Sequence, residues 1–144
     1  MNFRVENFRK DTFCIKNGGK NKEPTILWED RKDCLYSYAL IMEDPYGHIP
    51  YSMVGNKVHW YIPIIYNNTI YEGLNSENKY GWSGPCPPID SGYHEYIFTL
   101  YRLDKKLDYK PNRKIKSSND FEKLLKKKRI NILEKEIQTF SINV

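Results

Sequence analysis

The sequence predicts a mainly β protein, a two-sheet antiparallel sandwich of the Greek-key type with one short helix near its C-terminus. Composition is the first reason. Twelve Tyr, six Phe and three Trp stand against a single alanine, Ala39, and aromatic residues favour strands as alanine favours helices. Punctuation is the second: Gly18-Gly19, Pro24, Pro45 to Gly47, Gly55-Asn56, Gly73 and Gly84-Pro85-Cys86-Pro87-Pro88 cut the chain into short apolar runs, as in a sandwich. At 144 residues the chain has the size of one domain that can bury a core without staples. No repeat or low-complexity linker divides it, so residues 1–144 read as a single domain.

The elements follow in order. Thr25 to Trp28 is a short strand. Leu35 to Met42 puts Tyr36, Tyr38, Leu40 and Met42 on one face and Ser37, Ala39 and Ile41 on the other; both faces are largely apolar, which places this strand centrally, covered on both sides. It ends at Glu43-Asp44-Pro45, where proline directs a turn. Val58 to Ile65 is apolar throughout, with Pro63 marking an edge or a bulge. Tyr93 to Leu103 is the longest run, and His94, Tyr96, Phe98 and Leu100 share its even-numbered face. A helix over Asp120 to Lys127 begins near Asn119, which has Glu122 three residues on, and carries Phe121, Leu124 and Leu125 at helical spacing. Ile130 to Phe140 reads as a late strand.

Charge is unevenly spread. Residues 1–101 carry ten Lys or Arg against twelve Asp or Glu, while residues 102–129 carry twelve against four. A basic region of this kind can meet a polyanion, but Lys interspersed with Glu on a helix is ordinarily a solvated face, so nucleic acid is the weaker reading. Cys14, Cys34 and Cys86 have neither CxxC spacing nor an even count. They read as free thiols in a reducing compartment, and with no apolar leader or membrane-length run the expected location is cytoplasmic. Asn67-Asn68-Thr69 has the form of a glycosylation acceptor and reads simply as a turn.

Two of the three histidines lie at strand starts, His59 before Trp60 and His94 after the proline-rich loop. If those strand ends adjoin the one at Asp44, the three side chains converge, and the backbone amides beside Ser83 and Gly84 complete an anion-binding concavity. In this reading Asp44 orients a histidine and raises its pKa, so that a cationic ring meets the ligand. A His/His/carboxylate zinc site is the competing chemical reading, against which stands the lack of an HExxH pair.

The ordered motifs carry a resemblance. Asn17-Gly18-Gly19 through Pro24 and Leu27-Trp28, then Ser37-Tyr38-Ala39-Leu40-Ile41-Met42-Glu43-Asp44-Pro45, His59-Trp60, Tyr80 to Pro88, and Gly92-Tyr93-His94-Glu95-Tyr96 resemble the successive signatures of the phosphatidylethanolamine-binding proteins. That family includes the Raf kinase inhibitor proteins and shorter bacterial and archaeal members, which this chain resembles more in layout. The resemblance implies a sandwich with a small anion pocket formed by Asp44, His59, Ser83, Gly84, His94 and Tyr96, and no catalytic residue, metal or cofactor. The implied function is non-enzymatic binding of a phosphate-containing small ligand or phospholipid head group, modulating a protein partner such as a kinase, with a homodimer compatible. The alternative is an interaction scaffold that acts through its outer surface over a vestigial pocket. Tyr46, Gly47-His48 and Glu95 depart from the family pattern; strand alternation turns Glu95 away from His94 and Tyr96.

Overall fold

A computed structural model describes residues 1–29, 36–49, 53–67, 69–88, 92–108 and 114–143, without the side chains of 46–49, 53, 54 and 143. Cys34, Leu35 and Asn68 lie outside the described residues, as do the side chains of Tyr46 and His48. Among the described residues seven strands and one α-helix follow in order: β1 (Arg4–Glu6), β2 (Thr25–Leu27), β3 (Ser37–Ile49), β4 (Met53–Tyr66), β5 (Thr69–Tyr71), β6 (Tyr93–Leu103), α1 (Ser118–Lys127) and β7 (Ile132–Asn143). They form two antiparallel sheets, a small one of β1 and β2 and a large one in the order β5-β4-β3-β6-β7. β3, β4 and β5 run consecutively, and β6 returns to lie beside β3. That return is the Greek-key connection.

The large sheet is apolar on both faces because it has a cover on each. One face gathers Tyr38, Leu40, Met42, Trp60, Ile62, Tyr96, Phe98 and Leu100 with Phe3, Val5 and Phe13 of the N-terminal layer. The other gathers Ala39, Ile41, Val58, Tyr61, Tyr101 and Leu103 with Phe121, Leu124 and Leu125 of α1. β3 is thus the doubly covered central strand that its sequence implies. The small sheet docks by an unusual device. Its outer edge at β1 has no neighbouring strand among the described residues to accept the Phe3 and Val5 N–H groups, which donate instead to Glu136 Oε2 and Gln138 Oε1 on β7.

Several local expectations need correction. β3 does not turn at Pro45 but runs on to Ile49, with a register shift between Asp44 and Gly47; a bulge accommodates a residue that cannot donate to the ladder. Pro63 lies in a second such irregularity, between the pairs Tyr38–Ile65 and Leu40–Ile62. The helix is capped by Ser117, whose hydroxyl accepts from the Asp120 N–H at 3.1 Å, so Asn119 sits inside the first turn. Lys126 and Lys127 occupy the last turn, where cations complement the helix dipole. No helix among the described residues is long and apolar enough to cross a membrane.

The cysteines are the largest correction. Cys14 and Cys86, 72 residues apart, are joined by a disulfide. Spacing rules miss such a pair because the fold, not local sequence, brings the two together. Around it the segment at residues 12–21 and the loop at 82–87 are laced: Cys14 N–H donates to Pro85 O at 3.0 Å, Trp82 Nε1 to Thr12 O at 3.0 Å, and Asn17 Nδ2 to Pro87 O at 2.7 Å. A closed loop of this length should contribute about 2–4 kcal/mol by restricting the unfolded chain. Thermal melts with and without dithiothreitol, and of Cys14→Ser, should show that loss. An unchanged melting temperature would mean that the hydrogen bonds alone hold the clamp.

Candidate functional site

The site lies on the face of the large sheet that meets the N-terminal layer. Alternation along β6 buries His94 and Tyr96 and exposes Tyr93 and Glu95, so Glu95 does point away. β3 brings Asp44 beside them, its Oδ2 3.4 Å from His94 Nδ1. Tyr96 stacks on His94 with ring centroids 6.3 Å apart and meets His59 of β4 edge-on at 6.0 Å. His59 Nδ1 lies 2.8 Å from the carbonyl oxygen of Ser83. Five of the six residues singled out in the sequence thus form one connected group. Their exposure is 3% for Asp44, 1% for His59, 5% for His94 and 0% for Tyr96, so the group is buried rather than at an accessible rim.

Gly84 has a different part. Its N–H donates to Asn21 Oδ1 at 2.7 Å, and that of Ser83 donates to His59 O at 2.9 Å. These amides are therefore spent within the protein, and the expected backbone concavity for an anion does not form. Glycine is needed at 84 for close approach, since a Cβ there would lie 2.7 Å from Asn21 Oδ1 and nearer still to Thr12 O. Outside this wall is a cavity of about 240 Å³, lined in part by Asn21, Glu77, Lys79, Ser83, Gly84 and Cys86.

Sequence reading missed one ion pair. Lys57, two residues before His59 on β4, has its side chain 5% exposed and donates to Glu77 Oε1 at 2.6 Å. Burial alone would push the Glu77 carboxyl up, but Lys57 and the Ser83 hydroxyl hold it below its ordinary value. The signal was present: a lysine beside Val58, leading into an apolar strand and in step with His59, predicts a buried charge that must find a partner.

Of the two histidines offered for a cationic role beside Asp44, His59 does not take it. Burial first, then the Lys57 ammonium, lower its pKa to about 3, so the ring is neutral, not cationic. Burial and the Asp44 charge push the Tyr96 phenol up, which keeps its proton in place. Among the described residues, His59 Nε2 and Tyr96 Oη are two of the buried side-chain polar atoms that have no hydrogen-bond partner, Trp60 Nε1 being another. Among the described residues no three His, Cys, Asp or Glu side chains are grouped to hold a metal ion.

The architecture defines a two-sheet β protein with a buried polar group beneath a disulfide-tied loop. The chain belongs to the phosphatidylethanolamine-binding protein family, whose sequence profile matches residues 4–139. It is 34% identical over 100 residues to a UPF0098 protein of Aquifex aeolicus, covering 59% of this chain and 56% of that one. A UPF0098 protein of Methanothermobacter thermautotrophicus is 32% identical over 114 residues, covering 65% and 68%. A UPF0098 protein of Pyrococcus horikoshii is 29% identical over 107 residues, 65% of this chain and 53% of the other, so the chain spans little more than half the length of the Aquifex and Pyrococcus relatives. In fold it resembles a phosphatidylethanolamine-binding protein homologue of Chlamydia trachomatis (TM-score 0.69, 21% identity, 99% and 98% of the two chains). It likewise resembles YbcL of Escherichia coli (TM-score 0.68, 19% identity, 100% and 99%).

The neutral His59 has a measurable consequence. In the unfolded chain its imidazole titrates near 6.5, whereas in the fold it does so near 3. Below the unfolded value the unfolded state takes up a proton that the folded state refuses. The stability tied to this difference is complete above pH 6.5 and is lost progressively as pH falls towards 3. In His59→Asn the amide nitrogen can still donate to Ser83 O, but the titrating group is gone. Urea unfolding between pH 4 and 7 should therefore show a shallower acid limb in the variant than in the native chain; equal limbs would mean that another group dominates.

Proposed function

We propose that this protein is a non-enzymatic binding protein whose buried polar group receives a phosphate-type group of a small ligand or head group, and that occupancy modulates a protein partner. One observation carries the reading. His59 Nε2 and Tyr96 Oη lie on rings 6.0 Å apart, buried and without hydrogen-bond partners among the described residues, and buried polar atoms of this kind are costly unless something completes them. Asp44 steadies His94 through Nδ1, and the Tyr96 hydroxyl is a donor held in its protonated form by burial. Ser83 stands between this group and the outer cavity: its carbonyl accepts from His59 while the residue lines that cavity. Family membership supports a binding role; kinases are one class of partner consistent with the resemblance.

Burial favours a second reading, in which the group is a vestigial polar core and the protein acts through its outer surface. Location enters here as well. Intracellular proteins ordinarily keep their thiols reduced, so the Cys14–Cys86 bridge fits an oxidising compartment better than the cytoplasm expected from the sequence.

Tyr96→Phe separates the two readings. Removing a hydroxyl with no partner should leave stability within about 1 kcal/mol of the native chain, or raise it. In the binding reading it should weaken phosphate or phosphoethanolamine about ten- to a hundredfold in calorimetric titration, the cost of a hydrogen bond to a charged group. Undiminished binding by Tyr96→Phe, or none by the native chain, would favour the outer surface.

A further inference from the structure

The polarity of the buried group constrains which ligand can complete it. A carbonyl oxygen carries no proton, so the 2.8 Å contact between His59 Nδ1 and Ser83 O requires the hydrogen to sit on Nδ1. In the neutral ring Nε2 then presents a lone pair, and that nitrogen is buried without a partner. Burial keeps the ring neutral, with its pKa lowered to about 3, so Nε2 accepts and does not donate. The charged groups nearby do not alter this. The Lys57 ammonium is already paired with Glu77 at 2.6 Å, and Asp44 is engaged with His94 at 3.4 Å. Beside one ammonium stand two carboxylates. A fully ionised phosphate dianion would bring only lone pairs to a lone pair, next to the Asp44 carboxylate.

Resting on the anion-pocket reading above, we propose that the pocket selects its ligand by a proton. The form bound is the monoprotonated phosphomonoester, whose P–O–H donates to His59 Nε2 while an unprotonated phosphate oxygen accepts from the Tyr96 hydroxyl. A phosphodiester, as in an intact phospholipid, has no such proton. The site therefore discriminates against a lipid's diester phosphate and in favour of a monoester. Specificity of this kind is steep, because a ligand that cannot satisfy a buried polar group leaves it unpaired.

Three small probes test this on the full chain by isothermal titration calorimetry: methyl phosphate, methyl sulfate and dimethyl phosphate. At pH 5 all three are monoanions, but only methyl phosphate carries the proton, since its second ionisation lies near pH 6. Methyl phosphate should bind, with the other two at least about tenfold weaker, the loss expected for one hydrogen bond to a charged group. Raising the pH to 8 leaves about one part in a hundred of methyl phosphate protonated, so its apparent affinity should fall about a hundredfold. Methyl sulfate, whose own charge does not change, reports any titration of the protein. If methyl sulfate or dimethyl phosphate binds as tightly as methyl phosphate, or if methyl phosphate binds equally at pH 5 and 8, proton selection is overturned and the anion pocket stands. If none of the three binds, the pocket reading falls and this inference falls with it.

Discussion

The contact between His59 Nδ1 and the Ser83 carbonyl organises the site. It joins a strand of the central sheet to a loop with no strand of its own, and it decides which imidazole nitrogen holds the proton. The carbonyl can do this only because the loop is immobilised from the other side. Gly84 donates to Asn21, Pro85 accepts from Cys14, Trp82 donates to Thr12, and the disulfide closes the set. The electronic character of a buried ring is thereby tied to the conformation of a segment near the N-terminus, about forty residues before it in sequence.

The sheet supplies the other half. Its two apolar faces are covered by different things, α1 on one side and the N-terminal layer on the other, so β3, β4 and β6 are held rigidly enough to present Asp44, His59, His94 and Tyr96 from three strands to one point. Aromatic packing carries much of this. Phe8 meets Phe13, Trp82, Tyr96, Phe98 and Phe140 at ring-centroid distances of 5.1 to 6.4 Å, which places one side chain of the N-terminal segment at the junction of sheet, loop and site.

Much of this was legible in the sequence. β6 could be read to its ends from alternation, and the convergence of Asp44, His59, His94 and Tyr96 from residue type at strand ends together with the family motifs. What escaped depended on distance in sequence or on competition between local rules. Cys14 and Cys86 have no local signature as a pair. Pro45 follows an Asp and so suggests a turn, yet pairing with β4 carries the strand through it at a bulge. Ser117 outcompetes Asn119 as the helix cap because Asp120, three residues on, supplies both the amide that the serine accepts from and a carboxylate for the Lys116 N–H. Gly84 was assigned to ligand binding, but its freedom from a side chain serves the close approach of two chain segments. The neutrality of His59 was hidden because it comes from burial and from Lys57, neither of which a motif reports.

The docking of the small sheet on β7 also bears on how the layers may shift. Phe3 and Val5 present N–H groups every second residue, and Glu136 and Gln138 present acceptors on one face of β7 at the same interval and in the same direction. A slide by one residue would set peptide carbonyls against a carboxylate, so the two layers are keyed to a single phase, and passage to the next allowed phase requires a two-residue step. Sequence drift in this protein is thus constrained in parity: a single-residue insertion between Phe3 and Val5, or between Glu136 and Gln138, breaks the alignment, whereas a substitution that keeps an acceptor at positions 136 and 138 does not.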